Sequence, residues 1–448
     1  MDKFNKNFIF GCATAAYQIE GAYNEDGKGM CNWDQFVKIP GKIDNGDTGN
    51  VGCDHYHHVD EDIELMKKMH LESYRFSISW SRVLPKGTGE VNEAGIKFYS
   101  DLVDKLLANG IEPMITLFHW DLPYELEKQG GFLNEKSIEW YLEYAKLIFE
   151  RLGDRVKYFI TFNEPYVYTT FGYVDGIFPP GCKGRTDFKL LASHNILLAH
   201  GKAVKLYRSM NLKGKIGITL DYCINIPVDK NNPKDLQAAD EANQFYPGWY
   251  YEPVVLGHYP VLARKYFEGL GLMPEVKDGD FDIITEPMDF IGINAYFANY
   301  VTYDENNLVH HSKLVQLDFK KTDMYWDITP DGFYDLMKYI QKTSKYPLLI
   351  TENGIALNDT VVDGKCNDPR RIDYLEQYTH ALHKAIDEGL NCIGYCYWSL
   401  MDNFEWGAGF RGRFGLIHID YESENRTRTL KESGYWYKDL IDLKNKGE

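Results

Sequence analysis

At 448 residues, 44% of them apolar, the chain can build a large core, and no apolar run reaches the roughly 18 residues that a membrane-crossing helix needs. A net charge of −17 leaves no basic stripe to displace counterions, which argues against nucleic acid or anionic membrane as partners and favours neutral ones. Length alone suggests about three domains, but no linker, low-complexity segment or internal repeat beyond a strand-helix alternation divides the sequence, so residues 1–448 are read as one domain.

In chain order, the run FIFGCATAA at 8–16, preceded by Lys3 and Lys6, has the cast of a short signal peptide but reads better as a first buried strand. Further strand-like runs follow at 74–79, 111–118, 158–163, 215–222, 289–296, 347–352 and 391–398. Helical periodicity is clearest between them at 60–70, 95–110 and 371–390, the last two stopping at a glycine or a Gly-Leu pair. Eight repeats of strand, crossover helix and parallel strand predict a closed (β/α)8 barrel, whose chemistry sits at the C-terminal ends of the strands.

The strand ends carry suitable groups. His119 follows ITLF, Asn163 and Glu164 follow YFITF, Asn294 and Tyr296 close DFIGI, Glu352 follows LLIT, and Trp398 follows CIGYCY. Two glutamates in partly desolvated strand exits are suited to serve as an acid and a nucleophile, although a lone strand-end glutamate as readily caps a helix or pairs with an arginine. Long loops at 31–58, 165–185, 297–333 and 399–428 are expected to wall the mouth, bringing Trp33, Trp326 and Trp406. The chain also has 33 Tyr, 24 Phe and 9 Trp, and aromatic faces beyond the needs of a core suit the C–H faces of sugars.

Other motifs are set aside. Gly407 to Gly412 matches G-x-G-x-x-G, but the residues after it read as extended, whereas a dinucleotide needs a helix N-terminus there. Cys53, His55, His57 and His58 match no zinc spacing and are read as structural at the start of a helix. No metal or cofactor is expected. The sequons at Asn358 and Asn425 matter only in an exported protein. The eight cysteines are scattered, and Cys392 and Cys396 would lie roughly 13 Å apart on a strand, so reduced thiols and a cytoplasmic location are expected.

With both glutamate motifs on the fourth and seventh strands, the chain resembles the family 1 glycoside hydrolases, the β-glucosidase group, from about Phe8 to Tyr435. The resemblance rests on FIFGCATAAYQIEGA, TLFHWDLP, TFNEP, GINAYF, ITENG, WSLMDNFEW and FGLIHID. It implies Glu164 as acid/base and Glu352 as nucleophile in a double displacement with retained configuration, needing no cofactor. Tyr296 would contact the nucleophile. Arg75, from RFSIS on the second strand, is a candidate for keeping Glu352 ionised, and a barrel-interior arginine paired with a structural carboxylate is a compatible reading. Gln18, His119, Trp120, Asn163, Asn294, Trp326, Trp398, Glu405, Trp406 and Phe414 are implied to bind substrate, with Trp398 as the floor of the sugar site. Ala295 and Tyr166 depart from the usual tyrosine and tryptophan, which is expected to affect packing or outer subsites.

The implied substrate is a terminal non-reducing β-D-glucosyl residue of a β-glucoside or cello-oligosaccharide, with galactosyl and fucosyl residues as further candidates. Two alternatives are a 6-phospho-β-glycosidase on the same fold and an inactive sugar-binding barrel. In the phospho-enzymes a serine typically replaces Glu405, and a lysine and tyrosine follow to grip the phosphate; here Gly412-Arg413-Phe414-Gly415 follows without the lysine. A charged Glu405 at 4 Å from a phosphate, with effective dielectric about 20, is expected to oppose binding by roughly 4 kcal/mol. The inactive alternative is disfavoured because both glutamates are present.

Overall fold

The computed structural model describes residues 1–446. Eight parallel strands close a barrel: β1 (Ile9–Ala13), β2 (Ser73–Ser77), β3 (Glu112–Phe118), β4 (Tyr158–Asn163), β5 (Lys215–Asp221), β6 (Phe290–Asn294), β7 (Leu348–Asn353) and β8 (Cys392–Trp398). Each pairs with its neighbours in sequence, and β8 closes on β1 with Ile9 opposite Gly394 and Ala13 opposite Trp398. The run at 8–16 thus supplies a barrel strand.

A main crossover helix follows each strand: α1 (His55–Lys68), α2 (Glu93–Ala108), α3 (Ser137–Leu152), α4 (Thr186–Ser209), α5 (Pro233–Phe245), α6 (Pro330–Thr343), α7 (Pro369–Asp387) and α8 (Glu432–Asn445). The sequence of α2 shows why: Ile96, Tyr99, Leu102, Val103 and Leu106 recur at helical spacing and are all buried, and the helix stops before Gly110, whose φ of 74° suits glycine. No helix among the described residues is long and apolar enough to cross a membrane.

Strand alternation divides the core. Met114, Ile160, Phe290, Leu349 and Cys396 belong to a small buried cluster with Ala13 and Trp398, while Ile115, Leu117, Phe159 and Ile291 belong to the large cluster shared with the helices. Register shifts interrupt the ladders between Ile160 and Asn163 on β4 and between Ile350 and Glu352 on β7. Both glutamate motifs therefore sit at irregularities, where a bulged strand re-aims its side chains.

The stretches expected as loops hold structure of their own. Asn32–Phe36 and Pro165–Thr170 are short helices, and Asn299–Tyr303 with Ser312–Leu314 joins Asn225–Pro227 in a three-stranded sheet. The stretch after β8 contains strand Ile417–Ile419, paired with Arg428–Leu430, and this strand, not a helix, is the next element after the glycines at 407–412. Trp33, expected at the mouth, is fully buried instead, packing on Trp406 at 4.6 Å and Phe178 at 4.9 Å. His55 bonds Asp62 at 2.7 Å and Arg428 bonds the same carboxylate at 2.8 Å, so the histidine-rich start of α1 is tied to the end of the chain.

A buried charge network fixes the stretch after β8. Asp402 accepts from Lys431 at 2.9 Å, Arg413 at 2.8 Å and the Gly415 N–H at 3.0 Å, and Lys431 also reaches Asp359 at 2.9 Å. Arg371 links Asp359, Asp368, the Ile355 carbonyl and the Tyr397 hydroxyl. Burial alone would raise the Asp402 carboxyl, but these cations hold it below its ordinary range. Asp402→Asn keeps the shape but leaves buried Lys431 and half-buried Arg413 short of a counter-charge, and is expected to lower unfolding free energy in urea titrations by about 3 kcal/mol or more. A loss under about 1 kcal/mol would show that the network stabilises this stretch little.

Candidate active site

Above the C-terminal ends of the strands lies a cavity of about 350 Å³. Glu164, Glu352, Glu405 and Asp221 line it together with His119, Trp120, Asn294, Tyr296, Trp326, Trp398, Trp406 and Phe414, and no lysine or arginine among the described residues does. Gln18, Arg75 and Asn163 stand behind this lining as buried groups.

Arg75 is the hub. Its Nη1 donates to Glu352 Oε1 at 2.6 Å and to the Thr351 carbonyl at 3.1 Å, Nη2 donates to Asn163 Oδ1 at 2.7 Å, and Nε donates to Thr116 Oγ1 at 3.1 Å. The Tyr296 hydroxyl donates to the other Glu352 oxygen at 2.6 Å. Asn294 Nδ2 donates to Glu164 Oε1 at 2.6 Å and to Asn163 Oδ1 at 3.1 Å, while its carbonyl oxygen accepts from Thr351 Oγ1 at 2.7 Å. Asn294 thereby joins the two glutamate motifs.

Local backbone aims these groups. Glu164 has φ 46° and ψ 68°, in the left-handed region, and its N–H donates to the Thr219 carbonyl at 3.0 Å. Pro165 then opens the short helix, a position where proline's missing N–H costs nothing. Trp120 and Trp406 also have positive φ, 76° and 51°. Such non-glycine residues store of order 1–3 kcal/mol each and persist where surrounding contacts over-determine them. For Trp120 one such contact is Nε1 donating to the Asn163 carbonyl at 2.9 Å. The glycine of ITENG has a steric reason: a Cβ on Gly354 would lie 1.8 Å from the Trp398 carbonyl oxygen.

The two glutamates differ electrostatically. Burial lifts Glu352 above the ordinary carboxylate range, while Arg75 and the Tyr296 hydroxyl pull the other way. Glu164 is pushed much higher, first by burial and then by the charge of Glu352 and of Asp221. When the pair holds one proton, it rests on Glu164. His119 is kept neutral by burial and the nearby Arg75; its Nε2 pairs with Asn163 Nδ2 at 3.1 Å.

Glu405 corrects an expectation. Burial, then the charge of Glu352, pushes its carboxyl up to about 8, so near neutral pH it is mostly the acid and a full-charge repulsion of phosphate does not apply. Gln18 lies beside it, donating from Nε2 to Asn403 Oδ1 and the Phe404 carbonyl at 2.8 Å each, and more weakly to Glu405 at 3.4 Å. Tyr166 lines the cavity stacked on Tyr246 at 3.9 Å. The sequence reading passes over Asp221, although it closes IGITLD on the fifth strand, where the strand-end rule would have found it. Tyr246 and Met324, also in the lining, come from loops with no motif to mark them, while Phe297 ends the GINAYF run.

The model of the glycosyl hydrolase family 1 matches residues 1–446. A beta-glucosidase A of Acetivibrio thermocellus is 45% identical over 449 residues, covering 99% of each chain. An aryl-phospho-beta-D-glucosidase of Bacillus subtilis is 39% identical, covering 100% of this chain and 98% of its own. Among solved structures, a beta-glucosidase from Thermotoga maritima in complex with castanospermine superposes with a TM-score of 0.93 at 40% identity, covering 100% of both chains.

The electrostatic asymmetry is open to direct measurement. In Glu352→Gln the like charge is gone, and the Glu164 carboxyl, followed by ¹³C NMR, is expected to titrate at least about one pH unit lower than in the unaltered protein. An unmoved titration would mean that burial and Asp221 set it without Glu352.

Proposed function

We propose that this chain, which belongs to glycosyl hydrolase family 1, is a retaining β-glucosidase that releases terminal β-D-glucosyl residues from β-glucosides and cello-oligosaccharides, with residues 1–448 as one catalytic domain. The observation that carries the reading is the pair of buried glutamates in unequal surroundings: Glu352 gripped by Arg75 and Tyr296, Glu164 crowded by like charge.

In this reading Glu352 attacks the anomeric carbon while Glu164 gives its proton to the departing oxygen. Formation of the glycosyl ester neutralises Glu352, so the repulsion on Glu164 falls and it can accept a proton from the water that then cleaves the ester. Buried, unpartnered Gln18 Oε1 and His119 Nδ1 are suited to sugar hydroxyls, which would satisfy them. Asn163 and Glu405 supply further polar groups, Trp398, Trp406 and Phe414 supply apolar faces, and Trp120 and Trp326 complete the wall.

Neutral sugars are preferred over 6-phosphosugars because no lysine or arginine among the described residues lines the cavity to pair with a phosphate. The higher identity of the β-glucosidase relative agrees with that choice. A cytoplasmic location is supported by eight free cysteines and by the use of Ile9–Ala13 as a barrel strand.

Glu352→Ala is expected to abolish turnover of aryl β-glucosides while the fold persists, and added azide or formate to restore product of inverted configuration, identified by NMR of the anomeric proton. Near-normal turnover without added anion would remove Glu352 from the nucleophile role.

The choice of sugar is tested by kcat/KM. The unaltered enzyme is expected to favour nitrophenyl β-glucoside over its 6-phosphate by about a hundredfold or more, and Glu405→Ser to lower glucoside activity about tenfold, since each hydrogen bond lost from the sugar contributes about 0.5–1.5 kcal/mol. Preference of the unaltered enzyme for the phosphorylated substrate would overturn the glucosidase reading while leaving the barrel and its glutamates in place.

A further inference from the structure

Of the four carboxyls that line the cavity, the proposed reaction uses Glu164 and Glu352 and the sugar engages Glu405, which leaves Asp221 without a role. Its placement is specific. Asp221 closes β5 in register with Asn294 of β6, whose amide holds Glu164 at 2.6 Å. The Glu164 N–H is bonded to the carbonyl of Thr219, two residues earlier on β5. The two carboxyl groups thus stand at the ends of neighbouring strands that this hydrogen bond ties together. The Tyr246 hydroxyl donates to Asp221 Oδ2 at 2.6 Å, and the Tyr246 ring stacks on Tyr166, over which Lys189 Nζ lies at 4.9 Å.

We propose that Asp221 is a positioning residue for Glu164: its negative charge on the Glu164 side of the cavity keeps the proton on that glutamate until the departing oxygen takes it. This rests on the β-glucosidase reading above. The ionisable groups that face Asp221 are Glu164 and Tyr166 after β4, Glu352 on β7, Lys189 on α4, Cys223 beyond β5, and Tyr246 and Tyr250 after α5. Burial raises Asp221 to about 6, with Tyr246 and Lys189 opposing that rise, so Asp221 is ionised in neutral solution while Glu164 still holds its proton. Burial lowers Lys189 to about 8, opposed by the charges of Asp175 and Asp221.

The sign follows directly. A neighbouring negative charge raises the proton affinity of Glu164; removing it lowers that affinity, and the alkaline limb of kcat/KM, which reports the acid in the free enzyme, moves to lower pH. The test compares full-length enzyme with Asp221→Asn and Asp221→Ser, two variants of different shape so that a folding defect in one leaves the other readable. Each is assayed across pH on cellobiose, whose leaving group needs the proton, and on dinitrophenyl β-glucoside, whose leaving group does not. The expected result is an alkaline limb for cellobiose about 0.5–1 pH unit lower in both variants, with the dinitrophenyl limb unmoved. An unmoved cellobiose limb, or equal losses on both substrates at every pH, overturns the proposal and reduces Asp221 to an anchor for Tyr246. If the unaltered enzyme cleaves neither substrate, the glucosidase reading itself fails and the role of Asp221 falls with it.

Discussion

The site depends on one buried guanidinium. Arg75 rises from β2 and touches Thr116 on β3, Asn163 on β4, and Thr351 and Glu352 on β7, so a single side chain ties the ends of four strands together. Burying such a charge is unfavourable unless every donor finds a partner, and a pair of this kind adds little to stability when compared with apolar packing. Its value here is electrostatic. Arg75, with the Tyr296 hydroxyl, opposes the burial that favours a proton on Glu352, and so keeps the nucleophile the more acidic of the two glutamates.

The reaction centre is assembled from locally unfavourable pieces, each held by something larger. Glu164 occupies left-handed backbone, the ladders slip on β4 and β7, and the approach of Gly354 to the Trp398 carbonyl leaves no room for a side chain. The compensation lies outside the cavity. Trp33 packs beneath Trp406, and the cluster of Asp402, Lys431, Arg413 and Arg371 holds the segment that carries Glu405. Strain stays at the mouth because rigid structure beneath it offers no way to relax.

This division explains what the sequence could reveal. All eight barrel strands were legible because apolar runs and helical periodicity are local, and the glutamates were legible because strand ends mark where a barrel does its chemistry. Features set by tertiary packing were not. Trp33 looks like a mouth residue from its loop position, yet only the fold shows it covered by Trp406 and Phe178. Gln18 and Asn163 look like direct ligands, whereas in the structure their amides also orient Glu405, His119 and Arg75 from behind the lining. The protonation of Glu405 depends on burial and on the charge of Glu352, which arrives from a different strand, and no local pattern encodes that.

A cavity lined by four carboxyls also has a thermodynamic consequence. Asp221 at about 6 and Glu405 at about 8 bind protons in the folded protein that the unfolded chain releases near pH 4. A group with its folded affinity raised contributes stability that is fully present below its unfolded value and is lost as pH rises through its folded value. For Asp221 that window runs from roughly 4 to 6, and for Glu405 from roughly 4 to 8. The empty enzyme therefore works at neutral pH with part of this contribution already gone. A sugar whose hydroxyls donate to these oxygens offsets the loss, because it adds donors to the ones that Tyr246 gives Asp221 and Gln18 gives Glu405. Arrangements that make the cavity unfavourable when empty are thus the ones that favour a neutral, hydroxyl-rich ligand within it, and an anionic ligand would add to the same imbalance.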